Sequence, residues 1–215
     1  MHAYAETYLP GAMRNLGEAV DYAVNDCSFS ADEFAEHFVT SGLAAEWEGG
    51  SARVLAGLSG IELTRDSFRR TGIHRDWPTP APRYELSPQY WAGWALTYYQ
   101  WWSARSFGSI FERASISEVI AMYPALHEAS ENRFVDRMEE RFRGATSLLK
   151  CWRERRGCSQ SELERISGVK IRNIRLYEQH PEAMVKAEYR TVKLLAHALG
   201  CRPDDLVVLP AELTR

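Results

Sequence analysis

The sequence predicts an all-α protein of two domains, and three observations support this. Apolar residues recur at the i, i+3, i+4 spacing of amphipathic helices. Glycine and proline interrupt that pattern at short intervals, and no two segments alternate as paired strands would. The charge is divided unevenly, since residues 1–143 carry 13 Arg and no Lys against 20 acids, whereas residues 144–215 carry 13 basic residues against 9 acids. We therefore predict an acidic, aromatic-rich helical domain of net charge −7 followed by a basic one of +4.

The composition of the 215 residues, 45% hydrophobic and 26% charged, is that of a globular protein with a buried core. No apolar run approaches the ~18 residues of a membrane span. The first residues lack the basic start and apolar centre of a signal peptide. The four cysteines show neither a CxxC pair nor a zinc spacing. These features predict a cytoplasmic protein with reduced thiols and no membrane association.

In residues 1–143, the apolar spacing and the helix breakers predict a series of short helices. An amphipathic helix is expected over residues 11–26, followed by one that begins near Ser30 and ends at Gly42. Further helices are expected over residues 43–48, 51–57, 59–70, 106–113 and 117–122. We expect the dipeptide Tyr123-Pro124 to break the last of these.

A proline-rich connector is predicted over residues 71–88, which hold four of the nine prolines. Trp77 and Tyr84 favour a connector packed on the surface. The alternative is a flexible linker between two subdomains.

An aromatic helix is predicted over residues 88–102, PQYWAGWALTYYQWW. Pro88 suits a first helical turn. Four aromatic side chains share one face, namely Trp91, Trp94, Tyr98 and Trp101. We interpret this as the central core helix of the domain. The alternative is an aromatic groove for a peptide or small molecule; base stacking fits less well, because the neighbourhood is acidic.

A charged helix is predicted over residues 131–142, where it ends the first domain. Its apolar face carries Phe134, Val135, Met138 and Phe142. It leads towards Gly144, which we expect to be the hinge between the domains.

In the basic part, Ser159–Glu178 predicts two short helices joined by a tight turn. Ser159 and Glu162 have the spacing of a capping box. Gly168 ends the first helix, and the second is predicted over residues 170–178. Inward positions are expected at Leu163, Ile166, Ile174 and Tyr177. The opposite face of the second helix is basic and hydrogen-bonding, which fits a major groove or, as the alternative, a solvated surface hairpin.

The same stretch resembles the helix-turn-helix of phage-repressor-like (Cro/repressor, xenobiotic-response-element type) regulators. The residues at matching places are Arg153, Gly157, Ser159, Gln160, Glu162, Leu163, Gly168, Val169, Ile174, Tyr177 and Glu178. Flanking helices are expected over 146–156 and from Tyr189 to Leu199, with a loop over 179–182. The run LLAHALGCRPDDLV is similar to the family's ending. The resemblance implies a five-helix Cro/repressor-like bundle over residues 144–215.

Four positions depart from the family pattern. Glu164 stands where the family prefers Ala at the helix contact, so it must turn to solvent or find a partner. Lys170 stands where Ser usually caps the second helix. Trp152 and Cys158 replace the usual leucines.

The resemblance also implies which residues contact double-stranded DNA. Gln160 matches a residue that reaches a phosphate and braces the reading helix. Lys170, Ile171, Arg172, Asn173 and Arg175 match the exposed positions on DNA. Arg172 and Arg175 suit guanine, Asn173 suits adenine or phosphate, and Ile171 suits a thymine methyl or packing on the loop. Lys186 and Arg190 are expected to bind backbone phosphates.

No catalytic constellation stands out, so we predict no enzyme, no cofactor and no metal. The chain has no G-x-S-x-G, no P-loop and no H-x-x-x-H. His127 with Glu128 and Glu131 is the remaining metal-site alternative.

Two functions from different classes follow. The first is a sequence-specific regulator, expected to be a repressor that binds DNA as a homodimer. The alternative is an antitoxin whose N-terminal domain neutralises a toxin encoded in the same operon while the C-terminal domain represses that operon. The N-terminal part, notably the stretches YLPGAMRNLGEAVDYAVNDC and SPQYWAGWALTYYQWW, resembles a bacterial domain of unknown function that is fused to such helix-turn-helix regions.

Overall fold

The computed structural model describes residues 2–142 and 147–207, and every regular element within these ranges is a helix. The all-α prediction is thus confirmed. No helix in the described residues is long and apolar enough to cross a membrane. The chain divides into two compact units, unit 1 up to Glu140 and unit 2 from Arg141. The predicted hinge, Gly144, lies outside the described residues.

Unit 1 is built from short helices. They are α1 (Leu9–Asp21), α2 (Ala31–Thr40), α3 (Leu43–Glu48), α4 (Gly60–Arg70), α5 (Pro88–Ser103), α6 (Phe107–Phe111), α7 (Ile116–Ile120), α8 (Tyr123–Leu126) and α9 (Glu131–Phe142), with a 3-10 turn at Glu6–Tyr8 and π-helical turns at Tyr22–Asp26 and Arg53–Gly57. The division between the units falls within α9, after Glu140.

Serine side chains set the beginnings of several of these helices. Complete capping boxes, in which the serine and the glutamate three residues later each bind the other's backbone N–H, join Ser30 to Glu33, Ser59 to Glu62 and Ser115 to Glu118. Ser87 and Ser106 cap α5 and α6 in the same way without the reciprocal glutamate contact. Local sequence therefore fixes where these helices start.

Helix α1 is the centre of unit 1, because α4 and α5 both cross it closely. A β-carbon at Gly93 of α5 would overlap the backbone of Leu16, and one at Gly60 of α4 would overlap that of Asn15. Glycine at these two positions therefore allows the backbones of α4 and α5 to approach that of α1 closely. The buried Asn15 amide donates to the carbonyl oxygens of Leu55 and Leu58, at 3.0 and 2.9 Å, and thereby satisfies polar groups inside the core.

Two predicted boundaries are corrected by the structure, and a third is confirmed. The helix expected over residues 11–26 is α1 followed by the π-helical turn Tyr22–Asp26. Tyr123-Pro124 begins α8 instead of only ending α7, because proline fits a first helical turn. Helix α9 has the predicted bounds, and its four predicted apolar residues are buried.

Helix α5 is a core helix, as predicted, but its aromatic face is not the most buried one. Trp91, Trp94 and Tyr98 are half-buried, and of the four aromatics only Trp101 is buried. The buried face carries Ala92, Gly93, Ala95, Leu96, Thr97 and Tyr99. The close crossing with α1 requires small side chains, so the large rings lie at its margins.

The connector over residues 71–88 belongs to unit 1, so it is not a linker between compact units. Trp77 lies beside Phe68, with ring centroids 5.9 Å apart, which agrees with surface packing. The prediction for Tyr84 is wrong, since this side chain is fully exposed.

Unit 2 contains α10 (Leu148–Arg155), α11 (Gln160–Ser167), α12 (Ile171–Gln179), α13 (Pro181–Val185), α14 (Tyr189–Leu199) and a 3-10 turn at Pro203–Leu206. Residues 179–182 do not form the predicted loop, because α12 continues to Gln179 and Pro181 starts α13. The core of unit 2 is formed by Leu149, Leu163, Val169, Ile174, Tyr177, Met184, Val192, Leu195, Ala196, Leu199 and Leu206.

The α1–α5 crossing gives a stability prediction. We expect Gly93→Ala to destabilise unit 1 by about 1–3 kcal/mol or more, because neither overlapping backbone can move independently. Gly11→Ala in α1 is the matched control, since its β-carbon would meet no atom within 4 Å. Replacing a helical glycine with alanine there should stabilise by up to about 1 kcal/mol. Urea unfolding of both variants measures this, and equal midpoints would contradict the proposed crossing.

Candidate nucleic-acid interface

The candidate interface is built on α11 and α12. The Ser159 hydroxyl accepts the Glu162 N–H at 3.1 Å and caps α11. The Glu162 carboxylate lies 3.8 Å from Arg165 instead of completing the capping box. Gly168 ends α11 with φ of +71°, a left-handed conformation that glycine adopts readily, and the buried Val169 fills the corner.

The predicted core positions are buried at Leu163, Ile174 and Tyr177, but the prediction for Ile166 is wrong, since it is 43% exposed. Ser167 occupies the buried position in its place. Its hydroxyl donates to the Leu163 carbonyl oxygen at 2.6 Å and accepts the Val169 N–H at 3.2 Å, so a polar side chain is buried with its bonds satisfied.

A buried ion pair joins α10 to α12. The Arg153 guanidinium donates to both carboxylate oxygens of Glu178, at 2.6 and 3.1 Å, and to the Cys158 carbonyl oxygen at 2.8 Å. The Arg153 and Glu178 side chains are only 10% and 4% exposed. The hydrogen bond from Arg153 to the Glu178 carboxylate raises the pKa of Arg153 further, so the guanidinium is charged at neutral pH.

Gln160 extends this network to the exposed face of α12. Its amide nitrogen donates to Glu178 at 2.8 Å, and its amide oxygen accepts from Arg175 Nε at 3.3 Å. Gln160 thus contacts α12 at Glu178 and at Arg175, where a residue that braces this helix would lie, and its role at DNA stays a prediction.

The two main departures from the family pattern meet at the beginning of α12. Lys170 is the N-cap residue, and its side chain makes no capping hydrogen bond. The Glu164 carboxylate instead accepts the Ile171 N–H at 2.8 Å. A carboxylate at this end also faces the positive end of the helix dipole. Glu164 therefore has a partner, which replaces the cap that a serine would supply.

The other predicted contact residues at the start of α12 and along it differ in exposure. Lys170, Arg172 and Arg175 are exposed, while Ile171 and Asn173 are half-buried. Within the described residues, none of the three cations forms an ion pair, so their charges are available to a phosphate or a base edge.

Lys186 and Arg190 are also exposed, at the end of α13 and in the first turn of α14. Among the described residues, no hydrogen bond or ion pair joins either of them to α12 or to Gln160. The structure therefore joins Gln160 to α12 by hydrogen bonds. Lys186 and Arg190 are not part of this network.

Three observations in the described residues concern metal-binding and thiol groups. They contain no group of three or more His, Cys, Asp or Glu arranged to hold a metal ion. In the alternative site, His127 Nδ1 lies 2.8 Å from the Tyr123 carbonyl oxygen and Nε2 lies 3.6 Å from Glu128. Burial raises the pKa of the Cys201 thiol to about 12, which disfavours the reactive thiolate.

Comparisons with known proteins give no match: no family model, no curated protein and no solved structure matches the chain. The helix-turn-helix resemblance therefore rests on the residues quoted above.

The Glu164 contact gives a prediction about the start of α12. We expect Glu164→Ala to speed hydrogen exchange of the Ile171 amide and to cost about 0.5–2 kcal/mol, the usual value of a lost cap. Adding Lys170→Ser should restore most of the loss, because serine supplies the missing acceptor. Glu164→Gln, which keeps an acceptor oxygen, is the control. Unchanged Ile171 exchange in Glu164→Ala would contradict the assignment.

The buried ion pair gives a second prediction. Glu178→Ala should destabilise unit 2 by about 3–5 kcal/mol, because it leaves the Arg153 charge buried without its partner. The exposed pair of Arg165 and Glu162 provides the control, since removing either side chain should change stability by less than about 1 kcal/mol. Denaturant unfolding monitored at a unit 2 probe such as Trp152 distinguishes them, and equal effects would show that the pair is not important.

Proposed function

We propose that the chain is a sequence-specific DNA-binding regulator, most simply a repressor in the cytoplasm, which reads the major groove with α12. The observation that carries this proposal is the exposed cationic face of Lys170, Arg172 and Arg175. It stands on a helix fixed from behind by the Arg153–Glu178–Gln160 network. Rigid positioning supports recognition, because base contacts require side chains held in register.

The charge distribution supports the same role. Residues 144–215 carry 13 basic residues against 9 acids, whereas residues 1–143 carry an excess of seven acids. Phosphate attracts the basic residues 144–215 and repels the acidic residues 1–143. Unit 1 therefore serves dimerisation, sensing or partner binding, and not contact with the duplex.

A homodimer on an inverted repeat completes the proposal. One helix such as α12 contacts only a few base pairs, which is too little for a single genomic site. A homodimer places two copies of α12 on the inverted repeat and so doubles the number of base pairs contacted.

A second candidate is an antitoxin that binds a toxin from its own operon through unit 1. Two exposed apolar side chains, Tyr84 and Leu86, on the acidic unit 1 favour a protein-binding role for it. Co-purification of the full chain with the product of the adjacent gene tests this function, and a product that does not bind would exclude it as the partner.

The DNA-reading role makes a prediction for Arg172. Arg172→Ala should weaken binding to DNA from upstream of the chain's own gene by about 1–3 kcal/mol and relax preference at one base position. Arg165→Ala, which removes the same charge from an exposed site on α11, is the control. Gel-shift titrations with single-base operator variants measure both effects. Equal affinities of the wild type and Arg172→Ala would show that the proposed pose is wrong.

A phosphate contact should behave differently. Lys186→Ala should weaken binding to all sequences alike and reduce the slope of affinity against salt by about 1. A loss confined to particular base pairs would contradict the phosphate role.

A further inference from the structure

Two large apolar side chains of unit 1 are exposed on one short segment. Tyr84 is fully exposed and Leu86 is 67% exposed, and they are the large hydrophobic residues in the described part of unit 1 that stand open to solvent. A single exposed apolar residue is ordinary, but here two stand two positions apart on one non-helical segment, and we call these two side chains the patch. Glu85 lies between them in the sequence.

The segment that carries the patch is held firmly against the end of α1. We call residues 78–87 the strap. Its Arg83 guanidinium donates to Asp21 at 2.8 Å and to Asp26 at 2.9 Å, and its Ala81 N–H donates to Asp26 at 3.0 Å. At its two ends, the Tyr22 hydroxyl donates to the Pro78 carbonyl oxygen at 2.7 Å, and the Ser87 hydroxyl donates to Asp21.

These contacts tie the strap to Asp21, Tyr22 and Asp26. Burial acts to raise the pKa of Asp26, but the hydrogen bonds from Arg83 and the Ala81 N–H outweigh it and lower the pKa below its ordinary value. Asp26 is therefore ionised at neutral pH and holds Arg83. A patch on a pre-ordered segment loses little conformational entropy when a partner binds, which favours affinity.

A cleft of about 210 Å³ lies between the strap and the helices beside it. Its lining includes Glu18, Glu85, Leu86 and Tyr90. The Asp21 and Asp26 carboxylates are already paired with Arg83. Within the described residues, Glu85 forms no hydrogen bond or ion pair. The cleft thus offers an unpaired carboxylate next to apolar surface.

We propose that the strap and its cleft form a docking surface for a basic protein segment. Apolar side chains of that segment cover Tyr84 and Leu86, and an arginine or lysine side chain enters the cleft beside Glu85. Charge complementarity identifies this occupant, since residues 1–143 carry a net charge of −7. The same charge repels nucleic acid and anionic lipid. The inference rests on the second proposed function, in which unit 1 binds a protein.

A phage-displayed library of random dodecapeptides, selected on the full-length chain, tests the surface. We expect enrichment of peptides that combine arginine or lysine with aromatic or aliphatic residues. Synthetic versions of these peptides should bind at least tenfold more weakly to Glu85→Lys and to the double variant Tyr84→Ser, Leu86→Ser. Replacing the peptide's arginine with citrulline, which has nearly the same shape without the charge, should weaken binding similarly.

Glu36→Lys is the matched control for the charge reversal. Glu36 is an exposed carboxylate on α2 of the same unit, so this variant changes the net charge of unit 1 equally at another place. It should bind the peptides as the wild type does. Circular dichroism should show unchanged helix content in all variants, because the altered side chains are exposed.

Three results would overturn the proposal: no enrichment over the starting library, selected peptides without basic residues, or equal binding to the wild type and the strap variants. The product of the adjacent gene provides a separate arm. If it binds the wild type and both strap variants equally, the docking surface is wrong while the protein-binding role of unit 1 stands. If it does not bind, that partner is excluded, and the peptide measurements alone decide the surface.

Discussion

The buried pair of Arg153 and Glu178 is the interaction on which the arrangement of unit 2 depends. It joins α10 to the last residues of α12. Gln160 connects the pair to Arg175 on the surface. A buried charge without its partner is costly, so alternative placements of α12 that separate these side chains are strongly disfavoured. The position of α12, and the hydrogen bond of its exposed Arg175, thereby depend on groups inside the unit.

The start of α12 shows how two unfavourable substitutions compensate each other. A lysine at the N-cap leaves the first N–H groups without a side-chain acceptor, and a glutamate at a helix contact needs a partner. Glu164 meets both needs, because its carboxylate accepts the Ile171 N–H. The carboxylate also places a negative charge at the positive end of the helix dipole.

Unit 1 obeys a different constraint, the close approach of α1 to α4 and α5. Gly60 and Gly93 permit it, and the bulky rings of α5 consequently lie at the edges of the crossing. The connector then lies over the end of α1, where Arg83 binds Asp21 and Asp26. In the described part of the acidic unit, the exposed large apolar residues Tyr84 and Leu86 stand on this strap and not on the aromatic helix.

Local sequence determined the helical class, most helix starts and the exposed cations, because capping residues, glycine ends and helical spacing act over a few positions. It could not determine which face of α5 is buried, since that depends on the helix that crosses it. Periodicity placed Ile166 in the core, yet Ser167 is buried there, because its hydroxyl bonds the turn that follows. The contact between Glu164 and Ile171 and that between Arg83 and Asp26 also required the folded chain. Each joins groups whose distance depends on how helices and connectors pack, and the residue types alone do not specify it.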